Sequence, residues 1–293
     1  MQIIRANYMG MCFGVKNALK KVGETDDLLN LTIYGDLVHN EKIIQNLSGM
    51  GVKMISESER PLVPRTTKVL ISAHGISDSE SNWLRSNAKT LIDTTCPHVK
   101  QIHEHAKNFN KMGFTVVVIG KKDHVEVKGL VGDLNSYYII EKPDEVKRFK
   151  EKYLGVICQS TISPDFANTI LLKIKSLNHD REIKYINTIC KPTIDRQLAV
   201  KNLLSKVDAV VVVGGSNSNN TKKLLETANS KNIPAIHIQS ANDLCPTWFK
   251  DFKRVGLTAG ASTLDITIEE VYQKLLSINR FNNIKKKLIN AAL

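Results

Sequence analysis

The sequence has no apolar run near the roughly 20 residues that a membrane-spanning helix needs, so no membrane protein is expected. Its opening residues, MQIIRANYMG, lack the apolar h-region of a signal peptide and read as a strand, which makes a cytoplasmic protein the expectation. Aromatic residues are scarce, at 6%, and none cluster with basic residues. Lys and Arg (41) exceed Asp and Glu (29), for a net charge of +12, but the lysines are scattered over every predicted helix. Only KKK at 285–287 resembles a basic block, so no nucleic-acid binding is expected. The diffuse excess reads as a solvated surface that would still attract a phosphorylated metabolite. C-x-x-C pairs are absent, and five cysteines with no secretory signal argue against a disulfide framework.

What is present is a plan written three times. Each segment runs from a strand through a cysteine into a helix: IIRANYMGMC–FGVKNALKKV, LIDTTC–PHVKQIHEHAKNF and KYINTIC–KPTIDRQLAVKNLL. The spacing predicts that each strand ends at its cysteine and that a helix follows at once. Pro97 fits a first helical turn, and Val15, Ala18, Leu19 and Val22 trace one amphipathic stripe. A second strand then ends in a polar loop (LTIYGDLVHN, FTVVVIGKKDHVEV, VDAVVVVGGSNSNN), and so does a third (KVLISAHGIS, YLGVICQSTIS, RVGLTAGAST). His39 follows Cys12 by 27 residues, His124 follows Cys96 by 28 and Ser218 follows Cys190 by 28. His74, Ser160 and Ser262 follow the same cysteines by 62, 64 and 72.

Continuous apolar strands such as VVVV are those of a parallel sheet buried on both faces, where ligands bind beyond the C-terminal strand ends. The fold expected is α/β: three similar units with mostly parallel sheets around a pseudo-threefold axis and a central cavity. The units are placed at 13–95, 96–189 and 190–280, with residues 1–12 packing on the third and a tail at 281–293. Three packed units would make a self-sufficient monomer.

Cys12, Cys96 and Cys190 are then convergent thiols. They suit either zinc with three cysteines and a water, or a [4Fe–4S] cluster with one iron lacking a cysteine. Closely spaced ligand pairs, usual in structural zinc sites, are missing, and an incompletely ligated iron points to reductive chemistry. GGSNSNNTKKLLETA reads as a phosphate grip, with close-approaching glycines, Ser218 and Asn220 as donors and a helix N-terminus behind. It lacks the G-K-[ST] ending of a nucleotide-hydrolysing loop. Ser262, His39 and His74 are further donors to phosphate oxygens. In DHVEV, read as a strand end, His124 and Glu126 point the same way and are candidates for substrate contact and proton delivery. Ser160 is placed to hold a substrate hydroxyl or complete a proton path. His98, His103, His105, His179 and His237 read as surface or packing residues, and Cys158 and Cys245 as structural. Two functions from different classes stay open on these residues: a cluster-dependent reductase, and a non-catalytic phosphate-binding protein with a Cys₃ zinc site.

The motifs GMCFGV, LVHN, SAHG, DTTCPHV, DHVEVKG, QST, NTIC, GGSNSNNT and TAGAST, in this order along nearly the full chain, resemble the 4-hydroxy-3-methylbut-2-enyl diphosphate reductase family, also called IspH or LytB. The resemblance implies a [4Fe–4S] cluster on Cys12, Cys96 and Cys190. It implies that His39, His74, His124, Ser218, Asn220 and Ser262 surround the diphosphate, with Ser160 and Asn219 also binding substrate and Glu126, His124 and Ser160 serving catalysis. The implied reaction closes the methylerythritol phosphate route to isoprenoids. It removes the allylic hydroxyl of the substrate to give isopentenyl and dimethylallyl diphosphates, with electrons from ferredoxin or flavodoxin. Three positions depart from the family pattern: Ser160 stands for a usual threonine, Asn219 for a usual serine or other small residue, and Leu264 for a usual proline.

Overall fold

The structure, a computed structural model, describes residues 1–38, 40–87 and 90–291, except the side chains of residue 42 and residues 282–291. The chain begins with β1 (Gln2–Arg5) and α1 (Phe13–Gly23). It continues through β2 (Leu31–Tyr34), α2 (Glu41–Gly49), β3 (Lys53–Ile55), β4 (Lys68–Ile71), α3 (Asp78–Asn87) and β5 (Thr90–Asp93). Then come α4 (Pro97–Lys111), β6 (Thr115–Ile119), α5 (Val125–Val131), β7 (Tyr137–Ile140), β8 (Tyr153–Cys158), α6 (Pro164–Leu177) and β9 (Glu182–Tyr185). The last stretch holds α7 (Lys191–Leu204), β10 (Ala209–Val213), α8 (Asn219–Asn229), β11 (Ala235–Ile238), β12 (Arg254–Ala259) and α9 (Asp265–Ala291).

The twelve strands form three four-stranded sheets of one topology: β3-β2-β4-β5, β7-β6-β8-β9 and β11-β10-β12-β1. Pairing is parallel throughout them. The chain forms two compact units. One comprises Met1–Cys12 with Ile194–Leu293 and holds the third sheet, while the other, Phe13–Thr193, holds the first two.

The centre of each sheet follows from its valines. In β10, Val210 and Val212 pack with Val200 and Leu203 of α7 and Leu224 of α8. Val211 and Val213 face the other way, onto Ile268, Val271, Leu275 and Ile278 of α9. Alternation sends successive side chains to opposite faces, so a strand covered on both sides must be apolar at every position. In β6, Val116 and Val118 likewise meet Ile102, Ala106 and Phe109 of α4 and Val127 and Leu130 of α5. There the Phe109 ring lies over Gly155 of β8, and a Cβ on Gly155 would sit 2.4 Å from its Cγ. Gly155→Ala is therefore expected to destabilise the protein by about 1–3 kcal/mol through overpacking. Thermal unfolding of the apo-protein checks this, and an unchanged midpoint would mean that the ring swings aside at no cost.

Three expectations change. No strand runs to its cysteine: β1, β5 and β9 end at Arg5, Asp93 and Tyr185, and irregular backbone carries the chain on to Cys12, Cys96 and Cys190. DHVEV is not extended, because Val125–Val131 is a helix with His124 as its N-cap. The final helix does not give way to a tail at 281 but continues to Ala291, through a stretch with neither proline nor glycine to stop it. Leu264 still admits that helix, since its carbonyl accepts from Ile268 N–H at 3.1 Å.

Candidate functional site

In all three sheets the cysteine-bearing segment leaves the strand beside the last β–loop and is tied to it by the same main-chain bond. Cys96 N–H donates to Ala73 O at 3.0 Å, Cys190 N–H to Ser160 O at 2.9 Å and Cys12 N–H to Ala261 O at 3.1 Å. The acceptors are the loops after β4, β8 and β12, which carry His74, Ser160 and Ser262. A helix starts directly after each cysteine, at Phe13, Pro97 and Lys191, as the spacing predicts. In the larger unit, His98 Nε2 and Thr188 O are 2.9 Å apart, which links the segments on which Cys96 and Cys190 lie. The Cys190 thiol is 3.0 Å from Thr193 Oγ1. Gly14 leaves room for the Cys96 thiol: a Cβ at Gly14 would stand 3.1 Å from Sγ. Each repeat thus offers one thiol at a matching backbone position, that of Cys96 kept open by Gly14, and thiolates are the donors that iron–sulfur chemistry takes.

The same unit brings together His74, His124, Glu126 and Ser160. The Glu126 side chain is 2% exposed, and Ser160 holds both of its oxygens, with N–H to Oε1 at 2.6 Å and Oγ–H to Oε2 at 2.5 Å. Burial pushes the Glu126 carboxyl above the ordinary carboxylate range, against the opposing pull of the Ser160 bonds and the nearby His98. A carboxyl whose hold on its proton is strengthened by burial is a candidate proton donor. His124 Nδ1 accepts from Glu126 N–H at 3.2 Å, which leaves Nε2 as the protonated nitrogen of the neutral ring. The His74 and His124 rings meet edge to face with centroids 5.8 Å apart. Gly129 permits this approach, since a Cβ there would lie 3.2 Å from Ile76 Cα in the loop that carries His74.

The smaller unit holds Ser218, Asn219, Asn220 and Ser262, all buried. Ser218 caps α8 by accepting from Thr221 N–H at 3.3 Å. Asn220 is the informative residue: it is 4% exposed, and neither its Oδ1 nor its Nδ2 has a hydrogen-bond partner among the described residues. A buried amide with both ends unmet leaves a donor and an acceptor for water or a polar ligand to meet. Thr221 sits between the turns after β10 and β12, where a Cβ on Gly214 or Gly260 would come within 2.4 or 2.2 Å of its Oγ1. The glycines of GGSN and TAGAST thus let two loops close on one threonine, and only those paired glycines in the sequence hint at it. His39 lies outside the described residues. Among the described residues no three His, Cys, Asp or Glu side chains are placed to share a single metal ion.

A family model described as LytB protein matches residues 3–276. The chain belongs to the LytB protein family. LytB relatives match from end to end. A protein of Geobacter sulfurreducens named 4-hydroxy-3-methylbut-2-enyl diphosphate reductase is 36% identical over 98% of this chain and 100% of its own length. One of the same name from Aquifex aeolicus is 35% identical over 95% and 97%. The solved structure of the E-1-hydroxy-2-methyl-but-2-enyl-4-diphosphate reductase from Plasmodium falciparum superposes with a TM-score of 0.83 at 28% identity, covering 93% of this chain and 87% of that one. A second solved reductase, titled the terminal enzyme of the non-mevalonate pathway, gives 0.67 at 34% identity, covering 94% and 100%. The reading as a non-catalytic phosphate-binding protein with a Cys₃ zinc site finds no support, since these relatives are named as reductases. No membrane-crossing helix occurs among the described residues.

Proposed function

We propose that this LytB-family chain is a 4-hydroxy-3-methylbut-2-enyl diphosphate reductase. The reaction adds two electrons and two protons to the allylic alcohol. The C–O bond breaks, the hydroxyl leaves as water with one proton, and the other proton goes to the allylic carbon skeleton. The products are isopentenyl and dimethylallyl diphosphates. The observation that carries this reading is the buried Glu126 carboxyl, held by both donors of Ser160 next to His74 and His124.

Cys12, Cys96 and Cys190 would hold a [4Fe–4S] cluster, which when bound supplies the electrons one at a time. When protonated, Glu126 donates from Oε2 to the Ser160 oxygen instead of accepting there, and the Ser160 hydroxyl hydrogen passes on to the substrate. Serine retains that hydroxyl without the methyl group that would stiffen a threonine. His74 and His124 meet the diphosphate end with ring N–H groups, and His39 is assigned to it from the sequence alone. Ser218, Asn219, Asn220 and Ser262 receive the phosphate oxygens, with the unmet amide of Asn220 as the firmest contact. The proposal includes a ferredoxin- or flavodoxin-type donor, a monomeric enzyme and a cytoplasmic location.

Iron and acid-labile sulfide after strictly anaerobic preparation, followed by turnover of the allylic diphosphate with a reduced viologen, test it. About four of each per chain and formation of both products are expected. A protein that takes up iron and sulfide yet leaves the substrate untouched would overturn the reading.

A further inference from the structure

Arg196 heads the fully buried side chains by size and is 1% exposed. Arginine cannot give up its charge, and removing that charge from water costs several kcal/mol before any partner offsets it. Where this guanidinium is spent is therefore informative. Its Nη2 donates to the carbonyl of Gly10. Its Cζ lies 4.9 Å from the centroid of the Tyr8 ring, in cation–π geometry. Both of these partners belong to the segment that ends in Cys12. The turn there is tight, because Gly10 has φ +80 and a Cβ on it would lie 2.9 Å from Asp265 Oδ1 and 3.0 Å from Ile268 Cδ1. Two residues later Cys12 N–H bonds Ala261 O. Three elements of the smaller unit, α7, α9 and the loop after β12, thus converge on five residues, Tyr8 to Cys12, whose one chemically reactive side chain is the thiol.

Stability gives a poor account of this arrangement. Exchanging a buried ionic group for an apolar one of similar volume is often neutral or stabilising. A planar fork that stacks on a ring while its N–H grips a carbonyl does what an apolar chain cannot: it fixes the orientation of a turn. We propose that Arg196 is a positioning residue for Cys12, clamping the Tyr8–Gly10 turn so that the thiol is held in its ligating direction before any cluster arrives. The inference rests on the functional reading above, in which Cys12 is a ligand.

The test uses the full chain with Arg196→Met and Arg196→Lys. Three quantities are read: iron release from the anaerobically loaded enzyme to a chelator, the thermal midpoint, and iodoacetamide alkylation of each cysteine in the apo-protein by peptide mass. Arg196→Met should release iron about tenfold faster, the lower end of what loss of a ligand-supporting partner costs. Its Cys12 should be alkylated faster while Cys96 and Cys190 keep their wild-type rates and the midpoint holds. Arg196→Lys, which keeps the charge but not the stacking fork, should fall between. Unchanged iron release and Cys12 alkylation would overturn the proposal. So would a drop in midpoint that speeds all three thiols together, because that is general loosening. If Arg196→Met does not fold, Tyr8→Leu removes the stacking face from a partly exposed position and should move the same readings, less far. A wild-type chain that accepts no iron and sulfide would refute the functional reading, and apo-protein alkylation would still decide the role of Arg196.

Discussion

Glu126→Gln should lower turnover of the allylic diphosphate by about 10²–10⁴-fold, the usual worth of a positioned proton donor, while iron and sulfide stay at wild-type content. Glutamine fills the same space and its carbonyl can still accept from Ser160 N–H, but it has no carboxyl proton to deliver. The carboxyl sits in a buried pocket that raises its proton affinity, so the active neutral form persists above the pH at which an ordinary glutamate ionises. Wild-type turnover should therefore decline as pH rises through the elevated value, and the variant should lose that limb. The sign for stability follows from the same shift. The folded protein holds this proton more tightly than the unfolded chain, so the stability that Glu126 contributes is fully present below the ordinary glutamate value of 4.5 and is lost as pH rises through the folded value. Glu126→Gln should consequently be at least as heat-stable as wild type at neutral pH and gain nothing in acid. A variant that turns over normally would remove Glu126 from the chemistry.

Cys96→Ser should lose bound iron and, with it, activity to the limit of detection. Serine preserves the main-chain bond to Ala73 O and the clearance over Gly14, so the loop keeps its shape and only the sulfur is removed. An alkoxide is a far poorer iron ligand than a thiolate, and the hydroxyl stays protonated at neutral pH. The contrast is with Cys245→Ser, which changes a residue whose thiol lies 3.0 Å from Thr247 Oγ1 and far along the chain from the repeated positions. Full iron content there and loss at Cys96 would single out the repeated cysteines as ligands. Equal retention in both variants would sink the assignment.

Much of the architecture was legible because its signals are local. Unbroken valine runs can only be central strands, and the recurrence of cysteine, loop and loop at nearly fixed intervals exposed the repetition. The misreadings share another cause. An alternating DHVEV suits a strand end as well as a first helical turn, and what decides is the His124 ring accepting from Glu126 N–H, a cap that spacing alone does not reveal. The strands stop short of their cysteines because the last residues turn to reach a neighbouring loop, a tertiary bond with no local signature. Asn220 was selected from its motif, yet its unmet amide is visible only once burial is known. Arg196 was passed over altogether: in KPTIDRQLAV it reads as one more charge on a helix, and only folding puts it inside.

The bond that ties each cysteine to its adjoining loop is made by peptide groups alone, so it survives any exchange of side chains. A scaffold repeated in its backbone and free in its side chains can carry three unlike residues at one station. His74, Ser160 and Ser262 occupy the same station in their sheets yet differ in charge, size and proton affinity. One main-chain plan kept three times can thus carry a different chemistry in each sheet.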